Sequence, residues 1–333
     1  MTTNTNSTTS TDPRFALALV VLGAAFGAAF LFMKILSDEI STFEIVAGRL
    51  ALGAAVLGTI IVVRGKGFRM TRRGFAQVSA LAVVEPLIPF ALIAWAETRI
   101  DAGVASLLIS TMPVFTVVMA MTIFADERRA LVRLVAVPLG IAGVIVLTGG
   151  DVLSLTDGNA VGQLAVIVAA CAYAAGTVYS KVLLRTHDPI DLSATKLTVA
   201  AVIASIFIVP TSGAPSYGSL SVEGWASLAA LGIVSTALAF TAYMWLVSAA
   251  GSVYSSLVTY VVPVFGVLLG WAVLGESIGL STAAGAALIA CAVAGAMYGP
   301  ALAERIGRAF PHPDDLVLAP VPPATAICKE EYA

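Results

Sequence analysis

Long apolar segments follow one another along almost the whole chain, and they constrain its fold more than any other feature. Ten of them run over residues 15–36, 42–63, 74–96, 102–124, 132–149, 160–183, 191–210, 224–247, 252–274 and 281–299. Each is close to the ~20 residues that an α-helix needs to cross a ~30 Å hydrocarbon layer. Helices are expected rather than open sheets, because lipid offers unpaired backbone amides no partner. The segments therefore predict ten transmembrane helices.

Composition supports this class. Hydrophobic residues make up 59% of the chain and charged residues 11%, whereas a soluble domain carries about a quarter charged residues. The three cysteines, Cys171, Cys291 and Cys328, show neither disulfide nor zinc spacing. The two histidines, His187 and His312, lie outside the apolar segments, and no P-loop is visible. The sequence therefore predicts an all-α polytopic membrane protein with no metal, no cofactor, no catalytic residues and no nucleic-acid partner.

The polar ends and connections predict the orientation. Residues 1–13 are low in complexity and residues 300–333 hold six of the fifteen prolines, so both are predicted to be disordered tails. Basic residues crowd the even-numbered connections, and the odd ones hold only Arg99. By the positive-inside rule, the even connections and both tails lie in the cytoplasm, and the helices cross the cell (inner or plasma) membrane.

The chain repeats itself at nearly half its length. Within the apolar stretch 101–127, Pro113-Val114-Phe115 returns as Pro263-Val264-Phe265, at an offset of 150. At an offset of 147, Lys34, Glu44, Arg49 and Leu50 return as Lys181, Asp191, Lys196 and Leu197, so three charged positions keep their type. Ten helices divided into two fives give an odd number per half, so the second half enters the membrane from the opposite side. The pattern predicts an inverted repeat with a substrate path near the midplane.

Two runs of the repeat resemble a known family. They read GVASLLISTMPVFTVVMAMTIFADERRALVRLVAVPLGIAGVIVL and GSVYSSLVTYVVPVFGVLLGWAVLGESIGLSTAAGAALIACAVAG. Small residues, a Pro-Val-Phe triplet, a closing Glu and a Gly-rich following segment resemble the paired EamA domains of the drug/metabolite transporter superfamily. The resemblance spans about residues 14–299, as a first repeat over 14–150 and a second over 160–299. One departure is Ala125-Asp126-Glu127, where members commonly have Gly before the Glu.

The resemblance implies ten helices in two inverted five-helix repeats and transport without ATP hydrolysis. It also implies a central cavity lined by helices 1, 3, 4, 6, 8 and 9. Members of the family export amino acids and other metabolites, and more distant relatives carry nucleotide sugars or triose phosphates. The expected partners are therefore a small-molecule substrate and the lipid bilayer, with protons as a candidate coupling ion.

Glu85 is the first candidate for function, because it lies about twelve residues into the third segment, close to the midplane. A carboxylate at the centre of a membrane helix costs at least ~2.5–3.5 kcal/mol, so it should face a cavity or a partner. A helix over this segment places it on one stripe with Ile88, Leu92 and Trp95. Glu85 could carry a proton or bind a substrate ammonium; alternatively, it could be a structural carboxylate bonded to a hydroxyl on a neighbouring helix.

Arg49 and Lys196 are candidate gate residues. They sit six or seven residues inside their segments, roughly 10 Å deep at 1.5 Å per residue. They could pair with Glu44, Asp191 or a substrate carboxylate. The favoured interpretation is that their flexible side chains extend to the nearer membrane face.

Aromatic residues and prolines complete the prediction. The resemblance places eight aromatic residues near the cavity as candidate substrate-binding residues: Trp95, Phe26, Phe30, Tyr173, Phe240, Tyr243, Tyr254 and Tyr260. Pro113 and Pro263 each remove a helical hydrogen bond, so they predict bends that act either as hinges or as fixed kinks. Glycine spacings such as Gly23-xxx-Gly27 permit close helix contact, and packing within a monomer is the default, with a weak homodimer as the alternative.

Three functions remain open. The first is a secondary transporter that exports amino acids or similar small polar metabolites. The second is an exchanger or facilitator of phosphorylated or nucleotide-sugar metabolites, which would need several cavity cations. The third, a membrane enzyme, lacks a visible nucleophile, base or metal set. Substrate identity, direction of flux and the coupling ion lie beyond the sequence.

Overall fold

The computed structural model describes residues 13–65, 70–97, 99–100, 105, 108–124, 136–148, 160–212, 216–274 and, within 279–295, all residues except 282, 286, 290 and 293. The first half holds α1 (Pro13–Ser37), α2 (Thr42–Val63), α3 (Arg72–Ala82), α4 (Ile88–Glu97), α5 (Met112–Ile123) and α6 (Ala136–Thr148). The second holds α7 (Ala160–Leu183), α8 (Pro189–Ser212), α9 (Val222–Gly232), α10 (Ala239–Ala250), α11 (Ser252–Ser256) and α12 (Val258–Leu274). Two π-helical turns join α3 to α4 (Val83–Leu87, the first π turn) and α9 to α10 (Ile233–Leu238, the second π turn).

The all-helical class is confirmed for the part of the chain that the structure describes. Seven helical stretches there are long and apolar enough to cross a membrane. They begin at residues 13, 42, 72, 160, 189, 222 and 252, each within two residues of a predicted segment. The predicted segments at 102–124, 132–149 and 281–299 fall partly on residues outside the description. The count of ten therefore stays a prediction.

Polar residues set where the helices begin. Ser41 and Glu44 form a capping box at the start of α2, which satisfies amides that a helix end leaves without partners. The Thr71 hydroxyl accepts the Gly74 amide at the start of α3. The Ser221 hydroxyl accepts the Gly224 amide, 150 residues later, at the start of α9. The same cap thus opens the corresponding helix of each half.

The helices pack in matching pairs. α2 lies against α8, α1 against α12, and α7 against α5 and α4. Gly23 and Gly27 on α1 permit the α1–α12 contact, because a Cβ at Gly27 would lie 2.8 Å from the Cβ of Phe265. This glycine pair therefore packs within the chain. Large apolar side chains such as Val62 and Val63 are about 80% exposed on the outside of the bundle, as expected of surface that faces lipid.

The first π turn changes the expected stripe on the third segment. A π turn adds a residue to the helical turn, so side chains on its two sides no longer keep α-helical spacing. Glu85 is 1% exposed, whereas Ile88, three residues later, is 38% exposed. The prediction that these two residues share a face is therefore wrong. Pro86, which has no amide hydrogen to donate, lies inside the turn.

Each proline helix is interrupted before its proline. In the first half, Thr111 donates to Leu108 and Val114 to Thr111, so the interruption falls just before Pro113, which lies in the first turn of α5. In the second half the interruption falls at Leu257, between α11 and α12, and Pro263 lies inside α12. Whether either proline acts as a hinge stays a prediction.

Candidate functional site

A cavity of about 120 Å³ lies among the helices, where residues of both halves meet. It has room for several water molecules or a small organic molecule. Most of its wall is apolar, with one carboxylate, one guanidinium and a few hydroxyl groups. The lining residues are Phe26, Ala29, Phe30, Met33, Val46, Arg49, Glu85, Phe90, Ile93, Ile109, Met112, Tyr173, Thr177, Phe240, Tyr243, Val258, Thr259 and Val262.

The structure brings seven of the sequence-predicted site residues to this wall: Glu85, Phe26, Phe30, Tyr173, Phe240, Tyr243 and Arg49. They come from the two halves of the chain and from α1, α2, α7, α10 and the first π turn. Residues this far apart in sequence meet because the helices of one half pack against those of the other. The cavity is therefore a product of the tertiary structure.

Glu85 forms an ion pair with Lys196 from the other half of the chain. The Ser180 hydroxyl donates to the same carboxylate oxygen at 3.1 Å. The Lys196 Nζ also lies 3.4 Å from the Ser180 oxygen and 3.2 Å from the Met244 sulfur. Both charged side chains are almost fully buried. The attraction between the two charges offsets the free-energy cost of removing each from water. A buried ion without a partner would bear that cost uncompensated.

Lys196 therefore does not reach a membrane face, and that favoured interpretation is wrong for this residue. Its side chain is 0% exposed. The buried Glu85 carboxylate supplies the partner that makes an interior ammonium tolerable. A hydroxyl on a neighbouring helix, the alternative considered for Glu85, is also present, since Ser180 lies on α7.

Arg49 is also directed inwards, with a side chain 4% exposed. Its Nε donates to the Thr236 hydroxyl at 3.1 Å, and its guanidinium carbon lies 3.9 Å from the centre of the Phe90 ring. Its Nη1 lies 3.7 Å from the Met33 sulfur, a weak acceptor. The ring face attracts the cation, and the Thr236 bond fixes the direction of the side chain. Reaching the membrane face is thus excluded for Arg49 as well.

Aromatic rings pack edge to face across the cavity. Phe90 contacts Phe240 at 5.9 Å between ring centres, Phe240 contacts Phe26 at 6.0 Å, and Phe90 contacts Tyr173 at 6.3 Å. The Tyr243 hydroxyl shares a hydrogen bond of 3.1 Å with Thr177. Edge-to-face arrangements are the ones that aromatic pairs prefer, and such pairs add to the stability of their packing. The wall is therefore largely apolar, with packed aromatic rings and a few polar groups.

Equivalent residues of the two halves make equivalent contacts around the cavity. At the offsets of 147 and 150, Arg49 corresponds to Lys196, Phe90 to Phe240 and Met33 to Ser180. Arg49 lies on Phe90 and contacts Met33, while Lys196 lies 5.8 Å from Phe240 and contacts Ser180. The ring pairs Phe26–Phe240 and Phe90–Tyr173 are likewise equivalent. The duplicated sequence therefore forms a duplicated set of contacts.

Comparison with known proteins decides the family. A sequence model of the EamA-like transporter family matches residues 14–149 and 160–298. The chain belongs to the EamA-like transporter family. The resemblance in the sequence is thereby confirmed, and the protein is a transporter and not an enzyme.

Relatives of this transporter cover most of its length. The chain is 24% identical over 277 residues to an "Uncharacterized transporter YoaV" of Bacillus subtilis, covering 83% of this chain and 94% of that one. It is 26% identical over 264 residues to a "Probable terminal-alkyne amino-acid exporter" of Streptantibioticus cattleyicolor, covering 78% and 85%. A crystal structure with 19% identity matches with a TM-score of 0.72 over 85% of this chain and 97% of its own, which shows a shared fold.

The remaining predicted residues of the transporter do not line the cavity. Trp95 lies near the end of α4, where the Arg99 guanidinium stacks on its ring at 3.8 Å. Tyr254 is buried and packs against Phe15 at 6.1 Å, and Tyr260 is buried where a Cβ on Gly140 would touch its ring. Lys196, Pro113 and Pro263 also lie outside the lining set.

Sequence reasoning missed several polar and aromatic residues around the cavity of the transporter. Phe90 and Thr177 line the wall, Ser180 bonds Glu85, and Thr236 orients Arg49. The repeat could have found two of them: Phe90 is the equivalent of the predicted Phe240, and Thr177 of the predicted Phe30. Thr236 comes directly after Ser235, the equivalent of Glu85. No sequence spacing indicates it as a partner of Arg49.

One end of the transporter is held together by two glutamates. Glu39, between α1 and α2, accepts the Ser221 amide and hydroxyl at 2.6 Å each. These hydrogen bonds hold the pKa of Glu39 below its usual value. Glu44 accepts the Ser216 amide, and the Tyr217 hydroxyl donates to the Glu44 carbonyl at 2.8 Å. Burial, with the Glu44 carboxylate nearby, raises the pKa of Tyr217 to about 12. Both ties join the first half to the second.

The described residues hold no group of three or more His, Cys, Asp or Glu that could bind a metal ion. The charged groups on the cavity wall are Glu85 and Arg49. The arrangement can bind and orient a small amphipathic molecule.

Proposed function

We propose that this protein is a secondary transporter that exports amino acids or similar small polar metabolites by alternating access through the cavity. The observation that carries the proposal is the cavity itself: a mostly apolar wall between the two halves, with a carboxylate and a guanidinium at fixed positions. Such a wall accommodates an apolar side chain, while the charged groups recognise a polar head. The printed name of the Streptantibioticus cattleyicolor relative, a probable amino-acid exporter, favours the same class.

The proposal includes ten helices in two inverted repeats. It is supported by the equivalent contacts of Arg49 and Lys196 and by the way the helices pack. α1 packs on α12, and α7 packs on α5. The second pair consists of the helices that correspond to those of the first pair in the other half of the chain. Alternating access then consists of one half rocking against the other around the cavity.

The cavity's charges favour an amino acid over a sugar phosphate or nucleotide sugar. A phosphate dianion needs several cations or many oriented donors. Of the described cations, Arg49 lines the wall, and Lys196 is engaged by Glu85 behind it.

The proposed location is the cell (inner or plasma) membrane, with both termini in the cytoplasm. The proposed state is a monomer or weak homodimer. The exposed apolar side chains and the long apolar helices support the membrane location. The basic residues in the even-numbered connections support the cytoplasmic position of both termini.

Counterflow in proteoliposomes tests the function. Purified protein is reconstituted and loaded with unlabelled amino acids, amines or sugar phosphates, and uptake of the labelled compound is followed at several pH values. We expect uptake of at least one amino acid and none in protein-free liposomes. Uptake of sugar phosphates without amino acids would contradict the proposal in favour of the exchanger.

Protons are the proposed coupling ion, with Glu85 as the carrier because it lies on the cavity wall. The Glu85→Gln variant is expected to transport with a weaker dependence on pH. If this variant keeps both the rate and the pH dependence of the wild type, Glu85 does not carry the coupling proton.

A further inference from the structure

We propose that the Glu85 Oε1 atom and the Tyr173 hydroxyl form a hydrogen-bonding subsite in the cavity for a primary ammonium group of the substrate. The inference rests on the proposed transport function and deepens it. It names the favoured substrates as compounds that carry an ammonium group on an apolar body, apolar amino acids among them. The subsite recognises the hydrogens that the ammonium nitrogen donates.

Corresponding positions of the cavity wall differ in polarity between the two halves of the chain. Four positions carry a hydroxyl group in the second half and an apolar side chain in the first, at offsets of 147 or 150. The pairs, all of which line the cavity, are Tyr173 and Phe26, Thr177 and Phe30, Tyr243 and Ile93, and Thr259 and Ile109. The wall is therefore more polar where the second half contributes to it.

Three of these four hydroxyl groups have partners within the chain. The Thr177 and Tyr243 hydroxyls share a hydrogen bond of 3.1 Å, and the Thr259 hydroxyl donates to the Ser256 carbonyl at 2.8 Å. The Tyr173 hydroxyl has no hydrogen-bond partner among the described residues, and they do not fully enclose it. Because Tyr173 lines the cavity, its hydroxyl is available to a ligand there.

Glu85 also has an oxygen that the described part of the chain leaves unused. Its Oε2 accepts from Lys196 and from the Ser180 hydroxyl, whereas Oε1 accepts no hydrogen bond from the described residues. The side chain is 1% exposed and lines the cavity. A buried acceptor without a donor loses the hydrogen bonds that it would make to water. Glu85 therefore offers one further acceptor to a donor in the cavity.

Helix α7 brings the Glu85 carboxylate and the Tyr173 side chain to the same region. Glu85 packs on Gly176, where an added Cβ would lie 2.6 Å from the Glu85 Cβ. Ser180, which bonds Oε2, lies one turn after Gly176, and Tyr173 lies one turn before it on the same face of the helix. The charge of Glu85 also acts on the Tyr173 hydroxyl. The carboxylate is thus flanked by Ser180 on one side and by Tyr173 on the other.

Lys196 shows that these surroundings can hold an ammonium group. Its Nζ pairs with Glu85 Oε2, lies 3.4 Å from the Ser180 oxygen and lies 5.8 Å from the centre of the Phe240 ring. A substrate ammonium, which has three hydrogens to donate, would have an equivalent set in Oε1, the Tyr173 oxygen and the aromatic faces of the wall. Because Lys196 already balances the charge of Glu85, an amino-acid zwitterion adds no net charge to the buried pair.

The test varies the amino group of one amino acid and keeps its apolar body and its carboxylate. Phenylalanine is compared with N,N,N-trimethylphenylalanine, N-acetylphenylalanine and 3-phenylpropanoate. The first derivative keeps the positive charge without an N–H, the second keeps a neutral N–H, and the third has neither. N-methylphenylalanine, which retains N–H donors, controls for added bulk, and the corresponding leucine series is run in parallel.

Each compound is used in counterflow with the reconstituted full chain, and the shift in Tm is measured with the detergent-purified protein. We expect uptake and a raised Tm with phenylalanine or leucine. The trimethyl, acetyl and amino-free compounds should bind at least about tenfold more weakly, since hydrogen bonds between charged groups are lost. The N-methyl compound should stay close to the parent amino acid.

Tyr173→Phe removes only the hydroxyl and introduces the residue that the first half has at the equivalent position, Phe26. It should raise KM for the parent amino acid about three- to tenfold, with kcat retained, because one hydrogen bond is lost. The Tm shift with 3-phenylpropanoate should not change. Tyr179→Phe, at an exposed tyrosine of the same helix, is the matched control and should behave as the wild type.

Glu85 is tested together with its partner, because the single substitution leaves Lys196 uncompensated. In the double variant Glu85→Gln/Lys196→Met, the preference for phenylalanine over 3-phenylpropanoate should largely disappear. Elution as a single peak in size-exclusion chromatography shows which variants are folded. The comparison of compounds with the wild type decides the question even where the double variant does not fold.

Equal binding of phenylalanine and its trimethyl or acetyl derivative by the wild type would overturn the ammonium subsite while leaving transport intact. An unchanged KM in Tyr173→Phe would do the same. A Tm shift that requires both the ammonium group and Tyr173, without counterflow, would support the subsite and contradict the transport proposal. If none of the compounds is transported or raises Tm, the subsite is refuted.

Discussion

At the scale of single residues, the energetics of the cavity depend on the buried pair Glu85–Lys196. An ion pair inside a protein gives little net stability, because desolvation offsets much of the attraction. Removing one partner is different, since it leaves an uncompensated buried charge. The pair therefore acts mainly as a constraint: each residue requires the other.

This dependence predicts that the effects of substituting the two residues are not additive in a double-mutant cycle. Glu85→Gln or Lys196→Met alone should destabilise the protein by about 3–5 kcal/mol, and the double variant should recover most of that loss. Tm in detergent measures the effect, with Glu223→Gln, an exposed glutamate on α9, as the control. Additive losses in the double variant would show that the two residues are not coupled.

At the scale of helices, the first π turn brings Glu85 close to α7. The approach is possible because residue 176 is a glycine: an added Cβ there would lie 2.6 Å from the Cβ and 3.2 Å from the Cα of Glu85. The contact leaves no space for a methyl group, and the equivalent position in the first half is Ala29. The two halves thus differ in how closely a π turn meets its neighbouring helix.

Gly176→Ala should therefore destabilise the protein by about 1–3 kcal/mol, because the π turn must move away from α7. Gly58→Ala is the matched control, since an added Cβ at that position of α2 meets nothing within 4 Å. Alanine favours a helix by about 1 kcal/mol over glycine, so the control should keep or raise Tm. Equal Tm values for the two variants would contradict the close contact.

At the scale of the whole molecule, the two halves are tied at one end through Glu39 and Ser221. The same end carries the tie between Glu44 and Ser216. Alternating access requires the halves to separate at each end in turn. The proposed mechanism therefore requires these bonds to break during transport.

The Glu39 tie predicts a dependence of stability on pH. Because the pKa of Glu39 is lowered from 4.5 in the folded protein, its contribution is present above that value and is lost as pH falls through the lower folded pKa. Glu39→Gln should therefore flatten the decline of Tm below about pH 5. Asp38→Asn, at the exposed neighbouring carboxylate, should follow the wild type. Identical profiles for Glu39→Gln and the wild type would contradict the tie.

A covalent tie at the same place tests the motion itself. Cysteines at positions 39 and 221, in a chain with Cys171, Cys291 and Cys328 replaced by alanine, are joined with a short thiol cross-linker. We expect counterflow to stop and to return when the link is cleaved. Each single-cysteine variant, treated in the same way, should remain active. Transport by the cross-linked protein would show that this end does not open.

Much of the site follows from the sequence. The apolar segments predicted the helical class, because membrane helices need apolar length. The resemblance to EamA domains identified the family and implied the aromatic residues of the cavity wall, while depth in the third segment indicated Glu85. The repeat also links Phe90 to Phe240, and so indicates Phe90 as a further residue of the wall. Trp95, Tyr254 and Tyr260 could not be separated from the wall residues, because helical periodicity does not show which neighbour a face meets.

The sequence by itself determined that this chain is a membrane protein with two related halves that resemble a family of transporters, and that Glu85 lies near the midplane. It placed Arg49 and Lys196 only about 10 Å inside their segments. Only the tertiary structure decided their partners. Lys196 meets Glu85 across 111 residues of chain, while Arg49 meets Thr236 across 187. The physical reason is that a buried charge must find its partner through helix packing, and a π turn, which no spacing rule predicted, sets the direction in which Glu85 points.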